Sequence, residues 1–105
     1  MLPAPDRLLE GFTRYAARRR REPTCDAPLV RAALREAAKL ARGNERDEPA
    51  ALFFSFARRP RAFGDLQGDM LVLLAAGQAR SMGLELRFEP IEIVIHTIAV
   101  CRISS

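Results

Sequence analysis

Apolar residues recur at intervals of three and four along most of the chain, the spacing that places side chains on one face of a helix. The first such run, from Leu8 to Ala16, also includes Leu9, Phe12 and Tyr15. The pattern predicts one helix over residues 6–19, a second over 27–42, a third from about Pro49 to Ala57 and a fourth over 68–82. Short polar segments rich in Gly, Pro and Asp separate these helices.

The predicted helices have recognisable end signals. Asp6, Asp26 and Asp47 each stand before an apolar run, where an Asp side chain can cap a helix N-terminus. Gly83 follows the fourth run, at the position where a left-handed residue commonly ends a helix.

The last apolar segment, residues 91–103, carries two opposing signals. Its many β-branched residues favour a strand, whereas Ile91, Val94, Ile95 and Ile98 share a helical face. Only residues 84–88 offer a strand to pair with, and an isolated pair of strands is marginal. We therefore predict a fifth helix. The 105 residues are expected to form one domain, a small all-α bundle of four to five helices.

The composition and the lengths of the apolar runs bear on the cellular location of the protein. No apolar run reaches the roughly 20 residues that span a bilayer, and the N-terminus does not resemble a signal peptide. Cys25 and Cys101 lack metal-ligand spacing and are expected to be reduced thiols. These features predict a cytoplasmic protein with no membrane partner.

The net charge is +4, and arginine supplies every basic residue except Lys39. The run from Arg18 to Arg21 lies at the end of the first predicted helix, where cations offset the helix dipole. It has no interleaved aromatic residues and belongs to no DNA-binding motif. Nucleic acid is therefore not the expected partner.

A loop rich in arginine, from Arg58 to Asp69, runs into the fourth predicted helix. Helix N-termini that follow such loops can bind phosphate. The run that begins RAFGDLQGD at Arg61 resembles the signature H-x-F-x-(D/A)-(G/A)-N-(K/G)-R of the Fic/Doc (Fido) family, especially its short Doc-like branch. The order of elements is also similar over residues 26–105, with residues 1–25 as an additional N-terminal helix.

That resemblance implies roles for individual residues. Phe63 matches the phenylalanine that anchors the family loop in the core, and Asp65 matches the metal ligand. Gln67 stands in place of the asparagine. Arg61 replaces the histidine that serves as general base, and arginine stays protonated. Asp69 replaces the arginine that binds phosphate, which reverses the charge.

Family members transfer AMP or phosphate from ATP to protein hydroxyls, often as toxins paired with an antitoxin. With Arg61 and Asp69 at its reactive positions, the chain is expected to be a degenerate, catalytically inactive relative. It would act by binding a protein, either an antitoxin or a translation-related target. The implied cofactors, ATP and magnesium, would bind only if the motif still functions, with Arg58, Arg59 and Gln67 on the nucleotide and Asp65 on the metal.

Two alternatives stay open. The first is a divergent but active transferase, an adenylyltransferase or kinase in which His96 or Glu45 supplies the base. The second is a basic module that binds nucleic acid through its arginine clusters.

Overall fold

Four α-helices follow one another in residues 1–83, the part of the chain that the computed structural model describes. They are α1 (Pro5–Arg18), α2 (Ala27–Ala41), α3 (Glu48–Ala57) and α4 (Gln67–Ser81), with 3-10 turns at Glu45–Asp47 and Gly64–Leu66. The four predicted helices are confirmed to within one or two residues, and so is the all-α class. The helix predicted over residues 91–103 lies outside the described residues.

The predicted helix caps are only partly correct. Asp26 accepts a hydrogen bond of 3.2 Å from the backbone N–H of Leu29, as expected for an N-cap. The prediction for Asp6 is wrong, because α1 begins one residue earlier and Asp6 lies within its first turn. Asp47 precedes α3 but makes no capping bond with its side chain.

At the far end of α4, Gly83 has a φ of 74°. It therefore adopts the left-handed conformation that its position predicts, which a residue with a side chain adopts less readily.

The core is centred on α3, which packs against both α2 and α4. Phe12, Phe56 and Phe63 are its largest side chains, and each is at most 1% exposed. Alanines on α2 allow close approach, since Ala33, Ala37 and other apolar residues of that helix face the core. Aromatic side chains of this size dominate the free energy gained by burial, at about 1.5–3 kcal/mol each.

No helix within residues 1–83 is long and apolar enough to cross a membrane.

Candidate functional site: the loop between α3 and α4

The segment from α3 to α4 follows a tight path fixed by backbone hydrogen bonds. The N–H of Arg59 donates to the carbonyl of Phe56, and the N–H of Ala62 donates to the carbonyl of Arg59, each at 2.9 Å. The N–H of Asp26 then donates to the carbonyl of Ala62 at 2.9 Å. The loop is therefore joined both to α3 and to the start of α2.

Phe63 lies in the core, as predicted. Its ring stacks on Phe56, with centroids 5.2 Å apart, and meets the ring of Phe12 at a centroid distance of 5.0 Å. One side chain of the loop thus contacts aromatic residues of both α1 and α3, and this contact fixes the position of the residues that follow it.

Gln67 is almost fully buried at the first position of α4. Its amide nitrogen donates to the carbonyl of Phe56 at 2.6 Å, and its amide oxygen accepts from the N–H of Phe63 at 3.1 Å. Both polar atoms of the side chain therefore bind the protein's own backbone. Gln67 joins the end of α3 to the middle of the loop and does not face an open groove.

Asp69 contacts α1 and was matched to the phosphate-binding position of the motif. Its Oδ2 accepts a hydrogen bond of 2.7 Å from the hydroxyl of Tyr15 and lies 3.9 Å from a guanidinium nitrogen of Arg19. The hydrogen bond to Asp69 raises the pKa of Tyr15 above its ordinary value, and partial loss of solvation acts in the same direction. Sequence reasoning did not identify Tyr15 or Arg19 as members of this cluster.

Arg58 and Arg59 share the carboxylate of Glu36 on α2. Each donates to a different oxygen of Glu36 at 3.1 Å, and Arg59 also donates to the backbone carbonyl of Ser55 at 2.8 Å. The Arg58 guanidinium lies 5.5 Å from the centroid of the Phe54 ring. The two arginines predicted to bind nucleotide thus hold α2 and α3 together, and their binding of a nucleotide stays a prediction.

Arg61 and Asp65 are the exposed members of the motif. Asp65 lies in the 3-10 turn, and its side chain caps neither that turn nor α4. Within residues 1–83, no group of three or more His, Cys, Asp or Glu side chains is arranged to hold a metal ion. The role of Asp65 as a magnesium ligand beside a nucleotide stays a prediction.

A cavity of about 240 Å³ opens beside this turn, between the end of α1 and the loop. It is lined by Arg20, Arg21, Glu22, Thr24, Phe63, Asp65 and Leu66. Two backbone positions beside it are left-handed, Arg20 and Gly64, each with a φ of 54°. A Cβ at Gly64 would lie 3.1 Å from the carbonyl oxygen of Thr24, so a side chain there would be strained and crowded.

A second polar cluster surrounds Glu48 at the start of α3. The Met1 amino group donates to Glu48 at 3.1 Å, and the buried side chain of Gln78 donates both to Glu48 and to the carbonyl of Met1. The hydrogen bond to Glu48 raises the pKa of the Met1 amino group. Glu45, one of the two alternative bases, is exposed beside Met1, while His96 lies outside the described residues.

The motif residues are therefore brought to one loop, where Gln67 and Asp69 bind groups within the protein and Arg61 and Asp65 are exposed. Comparison of the chain with models of protein families, with curated proteins and with solved structures found no match.

Proposed function

We propose that this chain is a Doc-like helical protein that binds another protein and does not transfer nucleotide, acting in a toxin–antitoxin-like setting. The single observation that carries the proposal is the position of Asp69. A carboxylate stands where the Fic/Doc signature has its phosphate-binding arginine, and it accepts a hydrogen bond of 2.7 Å from Tyr15. Negative charge at that place repels a polyphosphate.

The neighbouring residues support the same conclusion. Gln67 uses both atoms of its amide on the backbone of Phe56 and Phe63. Arg61, at the position of the general base, carries a guanidinium that does not accept a proton. A base and a phosphate ligand are both replaced, and the substituting residues have structural contacts or are exposed to solvent.

The proposed binding surface includes Phe54 on α3. Its side chain is 42% exposed and carries the guanidinium of Arg58 over its ring. Aromatic residues and arginine are the types that contribute most to binding at protein interfaces. Arg58 is already held by Glu36, so it would lose little freedom when a partner binds.

The catalytic part of the proposal is tested with ATP labelled on the α- or the γ-phosphate. The protein is incubated with magnesium and a cell lysate, and we expect no labelled target with either nucleotide. Thermal unfolding should also be unchanged by magnesium and ATP, because a ligand at 100 times its Kd would add about 2.7 kcal/mol to the free energy of unfolding. Magnesium-dependent labelling of a target protein would instead establish the divergent-transferase alternative.

The binding part is tested with a pair of matched variants. Phe54 and Leu73 are exposed to nearly the same extent, 42% and 40%. A partner captured by the native protein should be lost with Phe54→Ser and kept with Leu73→Ser. Equal retention by both variants would remove Phe54 from the proposed interface.

A further inference from the structure

The solvent-facing side of α2 carries a row of cations that none of the contacts above uses. We call it the basic face, and it consists of Arg31, Arg35, Lys39 and Arg42. At 100° per residue Arg31, Arg35 and Lys39 fall within roughly 80° of one another around the helix axis, and Arg42 follows them as the left-handed C-cap residue of α2. The buried residues of α2, among them Val30 and Ala37, point to the opposite side. All four cations are exposed.

The basic face has no anionic partner within residues 1–83. None of its four side chains takes part in an ion pair or hydrogen bond there. Glu36, the only acidic residue of α2, contacts Arg58 and Arg59. Like charges four residues apart destabilise a helix, so this arrangement is unfavourable among the contacts of residues 1–83. An anionic partner would remove that repulsion.

The chemistry of the basic face fits phosphate better than it fits an acidic protein. Protein interfaces have an apolar centre and few lysines, whereas interfaces with nucleic acid are more polar and much more positive. The basic face has no large apolar residue at its centre, which is occupied by Arg35, and the exposed Ala38 lies at its edge. Three of its four cations are arginines, whose planar guanidinium matches the phosphate group.

The spacing of the cations along the basic face also favours a partner with many phosphates. Successive cations at Arg31, Arg35 and Lys39 are one helical step of about 6 Å apart, and the row from Arg31 to Arg42 extends over about 16 Å. A row of positive charges at regular intervals is complementary to a polymer with regularly spaced phosphates.

We propose that the basic face of α2 binds the phosphate backbone of double-stranded nucleic acid without preference for sequence. The face carries no aromatic residue on which the bases of a single strand could stack, and cations that pair with phosphate oxygens fix position and not sequence. This activity is independent of the proposed protein binding through Phe54, which lies on α3.

The test is fluorescence anisotropy with the full chain and short labelled duplexes, one of DNA and one of RNA, from about 50 to 200 mM salt. Four phosphate contacts predict a slope of roughly −3.6 for the logarithm of the DNA binding constant against the logarithm of salt concentration. The triple variant Arg31→Gln, Arg35→Gln, Lys39→Gln should lower that slope to about −1 and weaken binding more than about tenfold.

A second triple variant controls for net charge. Arg7, Arg46 and Arg80 are exposed and lie on other elements of the fold, so their change to Gln removes the same charge elsewhere. This variant should bind nearly as the native protein does. The first variant should also unfold at no lower a temperature than the native protein, because it removes like-charge repulsion.

Binding of either duplex supports the proposal if it depends on salt as predicted and is weakened by the first triple variant but not by the second. The duplex that binds more tightly identifies the nucleic acid. Equal loss of binding in both triple variants would show a response to net charge alone and overturn it. Absence of binding at about 50 mM salt would overturn it as well. Polyglutamate bound as tightly as the duplexes would assign the basic face to acidic proteins and overturn it too.

Discussion

The hydroxyl of Tyr15 donates a hydrogen bond of 2.7 Å to Oδ2 of Asp69, which lies 54 positions later in the chain. The bond joins α1 to the first turn of α4, where a carboxylate is also favoured by the helix dipole. Asp69 therefore has two structural reasons to be acidic. The residue that stands in place of the arginine of the resembled motif thus supplies a contact between two helices.

Tyr15 is the only tyrosine, so its titration can be followed directly by ultraviolet absorbance. We expect the pKa of Tyr15 to lie above its ordinary value, because ionisation would lose the hydrogen bond to Asp69 and place two negative charges together. Asp69→Asn should lower the pKa. Arg19→Gln should raise it further, since the Arg19 charge acts in the opposite direction. An unchanged pKa in Asp69→Asn would contradict the contact.

The same contact predicts a stability change at alkaline pH. The folded-state pKa of Tyr15 is raised above the unfolded value of about 10. Its contribution to stability is therefore fully present below pH 10 or so and is lost as the pH rises through the folded-state pKa. Denaturation curves measured across this range should show a smaller loss for Asp69→Asn than for the native protein.

We expect the stability of the protein to depend on the length of the side chain at position 67 and on its ability to donate a hydrogen bond. Gln67→Asn restores the residue type of the Fic/Doc signature, but a side chain one methylene shorter does not span from Phe56 to Phe63. We expect the free energy of unfolding to fall by about 1–3 kcal/mol, because a buried backbone group loses its partner. Gln67→Glu should cost at least as much, since a carboxylate does not donate to the Phe56 carbonyl. Unchanged urea denaturation midpoints would refute both expectations.

The Glu36 contact has a matched control on α1. Glu36 and Arg59 are 22% and 19% exposed in their side chains, whereas both partners of the Glu10–Arg14 pair are 68% exposed. We expect Glu36→Gln to lower stability by about 1 kcal/mol, since two charge-assisted bonds become weaker. Glu10→Gln should change it by less than about 0.5 kcal/mol. Similar effects of the two substitutions would show that partial burial does not increase the contribution of the Glu36 ion pairs to stability.

Sequence periodicity was sufficient to predict the four described helices because each contains buried residues three or four positions apart. In α2, for example, Val30, Ala33, Leu34 and Ala37 are all buried, and Asp26 gives the start of the helix. The start of α1 was less accurate, because Asp6 offers a capping side chain and Pro5 is itself compatible with the first helical position.

The candidate site was predictable only in part, and distance along the chain is the reason. Phe63 is buried as expected, since burial of a lone aromatic side chain in a polar loop is favourable. The partners of Gln67 and Asp69 lie up to 11 and 54 positions away, and no local pattern identifies them. The one sequence signal for the contact with Asp69 was the hydroxyl of Tyr15, a polar group at the edge of the apolar face of α1.

The hydroxyl of Ser55 is buried on α3 and has no hydrogen-bond partner within the described residues. An unsatisfied buried hydroxyl is unfavourable, and alanine has the higher helix propensity. Ser55→Ala should therefore raise the free energy of unfolding by about 1 kcal/mol, and the midpoint of thermal unfolding by roughly 4 °C or more. Ser81→Ala is the control, because its hydroxyl donates to the carbonyl of Gln78 at 2.7 Å. A destabilised Ser55→Ala protein would mean that the Ser55 hydroxyl does bind a backbone carbonyl of α3 in solution.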